Sequence, residues 1–156
     1  MKSVKELIEE FGGKFKGGKL DDRQSQKLRS KFADIDYFDS WLALMQGIDL
    51  INLNFKLNAE TDISDFGADF EIMNPQDQME EAYDFYPGIA AIKNGYIPFG
   101  ICLSGSGDPY FINYKSDEFI VYRIPHDAVL ENDKLDENKI EKVISIESLL
   151  NLYLNR

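Results

Sequence analysis

Two residue types on which much enzyme chemistry depends are almost absent from this sequence. Its 156 residues include one cysteine, Cys102, and one histidine, His126. A single cysteine excludes an internal disulfide, and a protein zinc site needs about four soft or borderline ligands. A Ser-His-Asp or Cys-His catalytic arrangement would depend entirely on His126. We therefore expect no metal site, no bound cofactor and no enzymatic chemistry of these familiar classes.

Long apolar runs are missing as well. No stretch approaches the roughly 18 consecutive apolar residues of a membrane-spanning helix. Residues 1–13 are amphipathic and lack the charged head and apolar stretch of a secretory signal. With 44% hydrophobic and 29% charged residues, the composition is typical of a globular protein. We expect one domain spanning residues 1–156, located in the cytoplasm, with no membrane association.

Basic side chains are nearly absent from the middle of the chain. Residues 32–92 contain thirteen acidic side chains and one basic side chain, Lys56. The formal net charge of the chain is −11, so this segment holds the whole excess. Because a phosphate backbone requires a cationic footprint, we expect no direct binding of nucleic acid. Such charge is ordinarily solvated surface, and the functional alternative is an electronegative face that attracts a basic partner.

Hydrophobic periodicity predicts an α+β fold. Apolar residues recur at helical spacing in several segments. Helices are predicted at 3–11, 21–32, 34–46, 76–85 and from Ser145 onward, and the pattern is weak in 21–32. Alternating apolar and polar residues predict strands at 50–57 and 68–73. We therefore predict a single domain whose mostly antiparallel sheet, of about five or six strands, is packed by helices.

The dipeptide Asn94–Gly95 predicts a tight hairpin turn. It stands between two apolar segments, 89–93 and 96–103, and is the pair preferred where both central residues need a positive φ angle. Residues 89–124 then form a four-stranded meander, in which Pro98 occupies a bulged or non-bonded position. Residues 127–142 are charged and are predicted to be loop.

The candidate catalytic motifs are weak. The segment 103–109, LSGSGDP, lacks the lysine and the following helix of a phosphate loop, which favours a plain turn with Gly105 and Gly107 at positive φ. His126 stands beside Asp127, but adjacent residues of an extended chain point apart. Cys102 fits a small buried residue of a strand. Acidic residues are so numerous that no spacing singles out a catalytic pair.

The C-terminal half of the chain resembles the SUKH superfamily, which includes fungal cell-wall assembly regulators and bacterial toxin-immunity proteins. Four ordered pieces within residues 79–156 carry the likeness: EEAYDFYPG, YIPFG, GSGDPYFIN, and VYRIPHD with the terminal helix SIESLLNLYL. The front half lacks the family's proline at the entry to its helix and its paired glycines, with only Gly47 in their place. The resemblance implies that the fold is determined in part by Gly107, Asp108, Tyr110 and Tyr122.

The resemblance implies a single α+β domain without enzymatic activity that binds and neutralises a bacterial toxin, often a nuclease. Because nuclease toxins carry cationic clefts, a basic toxin domain is the expected partner of the acidic middle segment. Two alternatives stay open, a regulatory scaffold that binds a housekeeping protein and a carboxylate-based hydrolase. The predicted partner-binding residues are Asp62, Asp65, Asp69, Glu71, Glu80, Glu81 and Asp84.

Overall fold

A computed structural model describes residues 1–58, 67–104 and 107–156. Helices and strands come in separate runs along the described chain, three helices, two strands, two helices, four strands and a final helix, and the predicted α+β class is confirmed. The helices are α1 (Val4–Phe11), α2 (Asp22–Lys31), α3 (Phe38–Gly47), α4 (Pro75–Asp84), α5 (Gly88–Lys93) and α6 (Ile146–Leu154). The strands are β1 (Asn54–Leu57), β2 (Ala68–Ile72), β3 (Ile97–Cys102), β4 (Tyr110–Lys115), β5 (Glu118–Arg123) and β6 (Glu141–Ser145).

Side-chain caps fix where several helices begin. At α1 the backbone N–H of Glu6 donates to Ser3 Oγ at 3.2 Å, and the N–H of Ser3 donates to Glu6 Oε1 at 3.3 Å. This is the capping box that the sequence predicts. Asp21 and Gln24 form the same box at α2, which explains a helix whose apolar pattern is weak. Ser145 caps α6, also as predicted.

The six strands form one antiparallel meander in the order β1-β2-β3-β4-β5-β6. Successive side chains of a strand point to opposite faces, so Tyr110 and Ile112 join the larger apolar cluster while Phe111 joins a smaller one. The larger cluster includes side chains of α1, α2, α3, α4 and α6. The smaller cluster includes side chains of α5 and of the segment 126–140. The sheet is therefore covered on both faces over its central strands.

The predicted hairpin around Asn94–Gly95 is wrong. Its first arm is helix α5, because Ala90 and Ala91 are fully buried in the smaller cluster and pack as a helical turn. Asn94 donates from Nδ2 to the carbonyl of Ala90 at 2.7 Å, and Gly95, with φ of 86°, ends the helix instead of turning a hairpin. The predicted four-stranded meander of residues 89–124 consequently contains three strands.

Two further details concern the sheet. The register between β3 and β4 shifts between Pro98 and Gly100, which confirms the bulge predicted at this proline. The segment 127–142, predicted to be loop, contains short 3₁₀ turns and leads into strand β6. The sequence pattern of β6 is too weak to predict a strand, because only Val143 and Ile144 of its five residues are buried.

Among the described residues, no helix is both long and apolar enough to cross a membrane.

Candidate functional site

Helix α4 places three of the predicted acidic residues near one another. Asp84 is exposed at its C-terminal end and forms no ion pair within the described chain. Glu80 is half-buried and accepts a hydrogen bond from Gln76 Nε2 at 2.7 Å, one turn earlier. The helix packs through its apolar side against α5, β3 and α2. Of the three acids, Asp84 is therefore the most exposed to solvent.

Glu81 plays a different part from its two neighbours. Its carboxylate accepts a hydrogen bond from the backbone N–H of Gly88 at 2.9 Å, which joins α4 to the start of α5. Burial raises the pKa of Glu81, although the Gly88 N–H and the nearby His126 act in the opposite direction. Glu81 is thus a positioning residue of this corner and contributes little exposed charge.

The predicted acids of β2 lie on another face. Asp69 and Glu71 alternate with Phe70 and Ile72, which belong to the cluster that α4 also packs against. Their side chains therefore point away from that cluster, and Asp69 Oδ1 accepts a hydrogen bond from Asn54 Nδ2 at 2.9 Å. Asp62 and Asp65 lie outside the described residues. The structure does not join the acids of β2 and α4 into one described surface.

Three aromatic side chains stand exposed where α4 ends. Tyr83, Phe85 and Tyr86, here called the aromatic patch, are 46%, 55% and 46% exposed. Single exposed apolar residues are common on proteins, but three exposed aromatic side chains within residues 83–86 are typical of a binding surface. The patch follows Glu80 and surrounds Asp84 in the chain, so ring faces and carboxylates share the same end of the helix.

Hydrogen bonds hold two of the three rings in place. The Tyr83 hydroxyl donates to the carbonyl of Lys31, whose ammonium lies 5.3 Å from the centre of the Tyr83 ring. The Tyr86 hydroxyl donates to Asp133 Oδ1 at 2.8 Å. Phe85 has no polar atom with which to form such a bond. The patch is therefore largely ordered before any partner arrives, which lowers the entropic cost of binding.

A groove of about 720 Å³ opens beside the aromatic patch. One wall is the connection between α2 and α3, residues 32–37, and the other wall is built by α4 and α5. Its apolar lining includes the side chains of Phe32, Ile35, Tyr83, Ile89 and Ile92. Tyr83 is common to the patch and the groove, so the two features are continuous.

Tyrosines connect the groove's walls. The Tyr37 hydroxyl lies 2.6 Å from the carbonyl oxygen of Gly95 and 2.9 Å from that of Ile112, so it links the α2–α3 connection to the end of α5 and to β4. Burial raises the pKa of Tyr37 well above its usual value, so it remains a neutral donor. Tyr83 makes the corresponding link to Lys31 from the α4 wall. These bonds indicate a preformed groove.

Charged side chains of both signs line the groove. Asp34 and Asp36 line it, are exposed, and form no ion pair within the described residues. Burial raises the pKa of the Tyr83 hydroxyl and the nearby Asp34 carboxylate raises it further. Of the two lysines that line the groove, Lys93 is paired with Asp133 and Lys31 lies over the Tyr83 ring. Neither lysine therefore forms an ion pair with Asp34 or Asp36 in the described structure.

Other candidate groups lie elsewhere. The ring of His126 contacts Asp108, with Nδ1 2.9 Å from Oδ1, and its sequence neighbour Asp127 pairs with Lys139. Cys102 is half-buried at the end of β3. Gly107 has the predicted positive φ, whereas Gly105 lies outside the described residues. Within the described part of the chain, no three His, Cys, Asp or Glu side chains are placed to hold a metal ion.

Sequence reasoning predicted that the acids of α4 bind a partner, which stays a prediction, and it missed the aromatic patch and the groove. The segment YDFY, residues 83–86, is typical of the apolar end of a helix. Only the Pro87–Gly88 breaker that follows it indicates that these rings lie outside the core. Asp34 and Asp36 sit 46 and more residues before the α4 residues that line the same groove, so no local pattern could connect them. Comparisons with family models, with curated proteins and with solved structures find no match to this chain.

Proposed function

We propose that this protein is a non-enzymatic binding module that neutralises a basic toxin domain by covering its active surface. The observation that carries the proposal is the aromatic patch of Tyr83, Phe85 and Tyr86, which stands beside unneutralised acids at the end of α4. The resemblance of residues 79–156 to toxin-immunity proteins supports it, since EEAYDFYPG holds the whole patch.

The aromatic side chains supply the anchor of such an interface. Tyrosine and other large aromatic residues are enriched among the few positions that contribute most binding energy. Phe85 is more than half exposed and gains nothing from water, so burial by a partner is favourable. Tyr83 and Tyr86 combine an apolar ring with a hydroxyl that is already bonded, and therefore both can be covered without leaving a polar group unpaired.

Acidic side chains around the patch select the sign of the partner's charge. Asp84, Asp34 and Asp36 are exposed and carry no ion pair among the described residues. Unneutralised carboxylates repel an acidic surface and attract a basic one, such as the phosphate-binding cleft of a nuclease. A toxin whose cleft is occupied by this surface loses access to its substrate.

A protection assay tests the proposal. Toxin domains sought among the neighbouring genes are expressed in cells with and without the protein, and the affinity of each purified pair is measured by calorimetry. Phe85→Ala should raise Kd about tenfold or more and abolish protection, because it removes an anchor. Its effect on the free energy of unfolding should stay within about 0.5 kcal/mol, because the side chain is exposed.

The matched control is Leu154→Ala, which truncates an exposed apolar side chain on α6. This variant should protect cells as the unmodified protein does. Protection that survives Phe85→Ala, or cells that die equally with and without the protein, would contradict the proposed function. Tight binding to a housekeeping protein without protection would instead support the regulatory-scaffold alternative.

A further inference from the structure

The groove has a chemistry that identifies what it can receive. Its lining is mixed: Ile89 and Ile92 of α5 and Phe32 and Ile35 of the α2–α3 connection form apolar walls, and the polar lining includes Lys31, Asp34, Asp36, Lys93, Asn94 and Asn113. Asp34 and Asp36 form no ion pair within the described residues. Apolar walls beside two carboxylates that form no ion pair match a ligand with an aliphatic body and a cationic head. Such a ligand buries its stem without a desolvation penalty and keeps its charge at the carboxylates.

The cations already present do not satisfy this chemistry. Lys93 Nζ forms an ion pair with Asp133, which also accepts a hydrogen bond from the Tyr86 hydroxyl. Lys31 Nζ lies over the Tyr83 ring, where it makes a cation–π contact. Neither lysine forms an ion pair with Asp34 or Asp36 in the described structure. An external cation therefore has two carboxylates available to it.

Among protein side chains, arginine fits this site better than lysine. A guanidinium is planar and presents a fork of donors to carboxylates, and it is more weakly hydrated than an ammonium. The groove's volume of about 720 Å³ leaves room for the neighbouring side chains of the same partner segment.

We propose that the groove receives an arginine side chain from the partner protein, with its aliphatic stem on Ile89 and Ile92 and its guanidinium at Asp34 and Asp36. This inference rests on the proposed function and adds the residue class that the partner must present. Because Tyr83 belongs to both features, an arginine in the groove places the neighbouring partner residues on the aromatic patch. The groove then fixes the register of the complex while the patch supplies the anchor.

The first experiment is a titration of the whole protein followed by two-dimensional amide NMR. The probe is n-butylguanidinium, and n-butylurea, which has nearly the same shape without the charge, is the comparison ligand. Butylguanidinium should shift the amide signals of residues 32–37 and 88–95, with a Kd about fivefold lower than that of butylurea. Equal binding of the two ligands, or shifts outside these segments, would overturn the proposal.

Variants separate the contribution of the carboxylates. Asp34→Asn combined with Asp36→Asn should weaken butylguanidinium binding about fivefold and leave butylurea unaffected. The matched control combines Asp22→Asn with Asp117→Asn, which changes the net charge equally at two exposed positions on α2 and the β4–β5 turn. If this control weakens binding as much, the effect is one of overall charge and the groove is not the site.

The second experiment uses the complex with the toxin domain. Ile92→Trp fills the groove and should raise Kd about tenfold, and thermal unfolding shows whether the variant is folded. Asp34→Asn combined with Asp36→Asn should also weaken the complex. These side chains are exposed, so this double variant should fold normally. If Phe85→Ala weakens the complex while both groove variants leave it unchanged, the groove proposal fails and the proposed function stands. If all of them leave it unchanged, both fail.

Discussion

At the residue scale, Glu81 is an acidic residue that stabilises the fold, although the acids near it in the sequence are candidates for binding a partner. Its carboxylate holds the Gly88 N–H at the turn between α4 and α5, the corner from which the aromatic patch projects. A Cβ added at Gly88 would lie 1.8 Å from the carbonyl oxygen of Glu81, so no other residue fits this approach. Together the two residues set the direction in which the chain leaves α4.

Replacing Glu81 by glutamine should change how stability depends on pH. Burial raises the pKa of Glu81 in the folded protein above its unfolded value of about 4.3, so the folded state binds this proton more tightly. The contribution of Glu81 to stability is complete below about pH 4 and is lost as the pH rises through the folded-state pKa. The free energy of unfolding of Glu81→Gln, relative to the unmodified protein, should therefore increase between about pH 4 and pH 7.

Urea denaturation across this pH range measures the difference. The control Glu81→Ala removes the acceptor of the Gly88 N–H and should be less stable than Glu81→Gln by about 1 kcal/mol at every pH. A relative free energy that stays constant or falls with rising pH would show that burial of the charge is not the dominant influence on Glu81.

At the element scale, α4 is the helix on which the candidate site depends. Its start is fixed by Asn74, whose Oδ1 accepts a hydrogen bond from the N–H of Asp77 at 2.8 Å, and by Pro75 in the first turn. Its buried face includes Ala82, and Tyr83 contributes one groove wall. Local sequence therefore sets the beginning of α4, and packing against neighbouring elements sets its rotation.

Removing the cap should destabilise the protein without touching the site. Asn74→Ala should lower the free energy of unfolding by about 1 kcal/mol, because the Asp77 N–H loses its acceptor. Asn74→Asp should retain most of that stability, since a carboxylate also accepts this bond and suits a helix N-terminus. Equilibrium urea unfolding gives both values. If Asn74→Asp loses as much as Asn74→Ala, the cap does not act through this bond.

At the scale of the whole molecule, the charge is distributed unevenly over the fold. The acidic segment 32–92 includes the α2–α3 connection, β1, β2 and α4, which lie on more than one face. Asp34 and Asp36 line the groove, and Asp84 lies within the aromatic patch. Asp69 and Glu71 of β2 point away from the face of the sheet on which Phe70 and Ile72 are buried. The protein therefore presents a broad negative field, and the aromatic patch adds the short-range contact that a field alone lacks.

Association with a basic toxin domain should slow as salt rises. Raising the ionic strength from about 0.05 M to about 0.5 M screens the field beyond roughly 5 Å, so the association rate constant should fall about tenfold or more. Stopped-flow fluorescence measures this rate. The control Phe85→Ala should raise the dissociation rate and keep the same salt dependence, because it changes contact and not charge. An association rate that is insensitive to salt would contradict electrostatic attraction.

Local sequence predicts the elements whose signals are self-contained. The capping residues of α1 and α6, the bulge at Pro98 and the alternation in β2 are all read correctly, because each depends on residues within one turn or one strand. Helix α5 shows where such reasoning fails. Asn94–Gly95 suits a hairpin turn and a helix end equally well, and the burial of Ala90 and Ala91 against distant strands selects the helix. Strand β6 is likewise defined by pairing with β5.

The candidate site shows the same division. Composition and charge order determine that this chain is acidic in its middle and poor in histidine and cysteine, because those properties need no coordinates. They also predict that the acids of α4 bind a partner, which stays a prediction. The tertiary structure alone decides that Glu81 accepts the Gly88 N–H, that Asp34, Asp36 and Tyr83 line one groove, and that Phe85 stays exposed to solvent. Each of these facts depends on which distant segments pack together, and packing is a property of the whole chain.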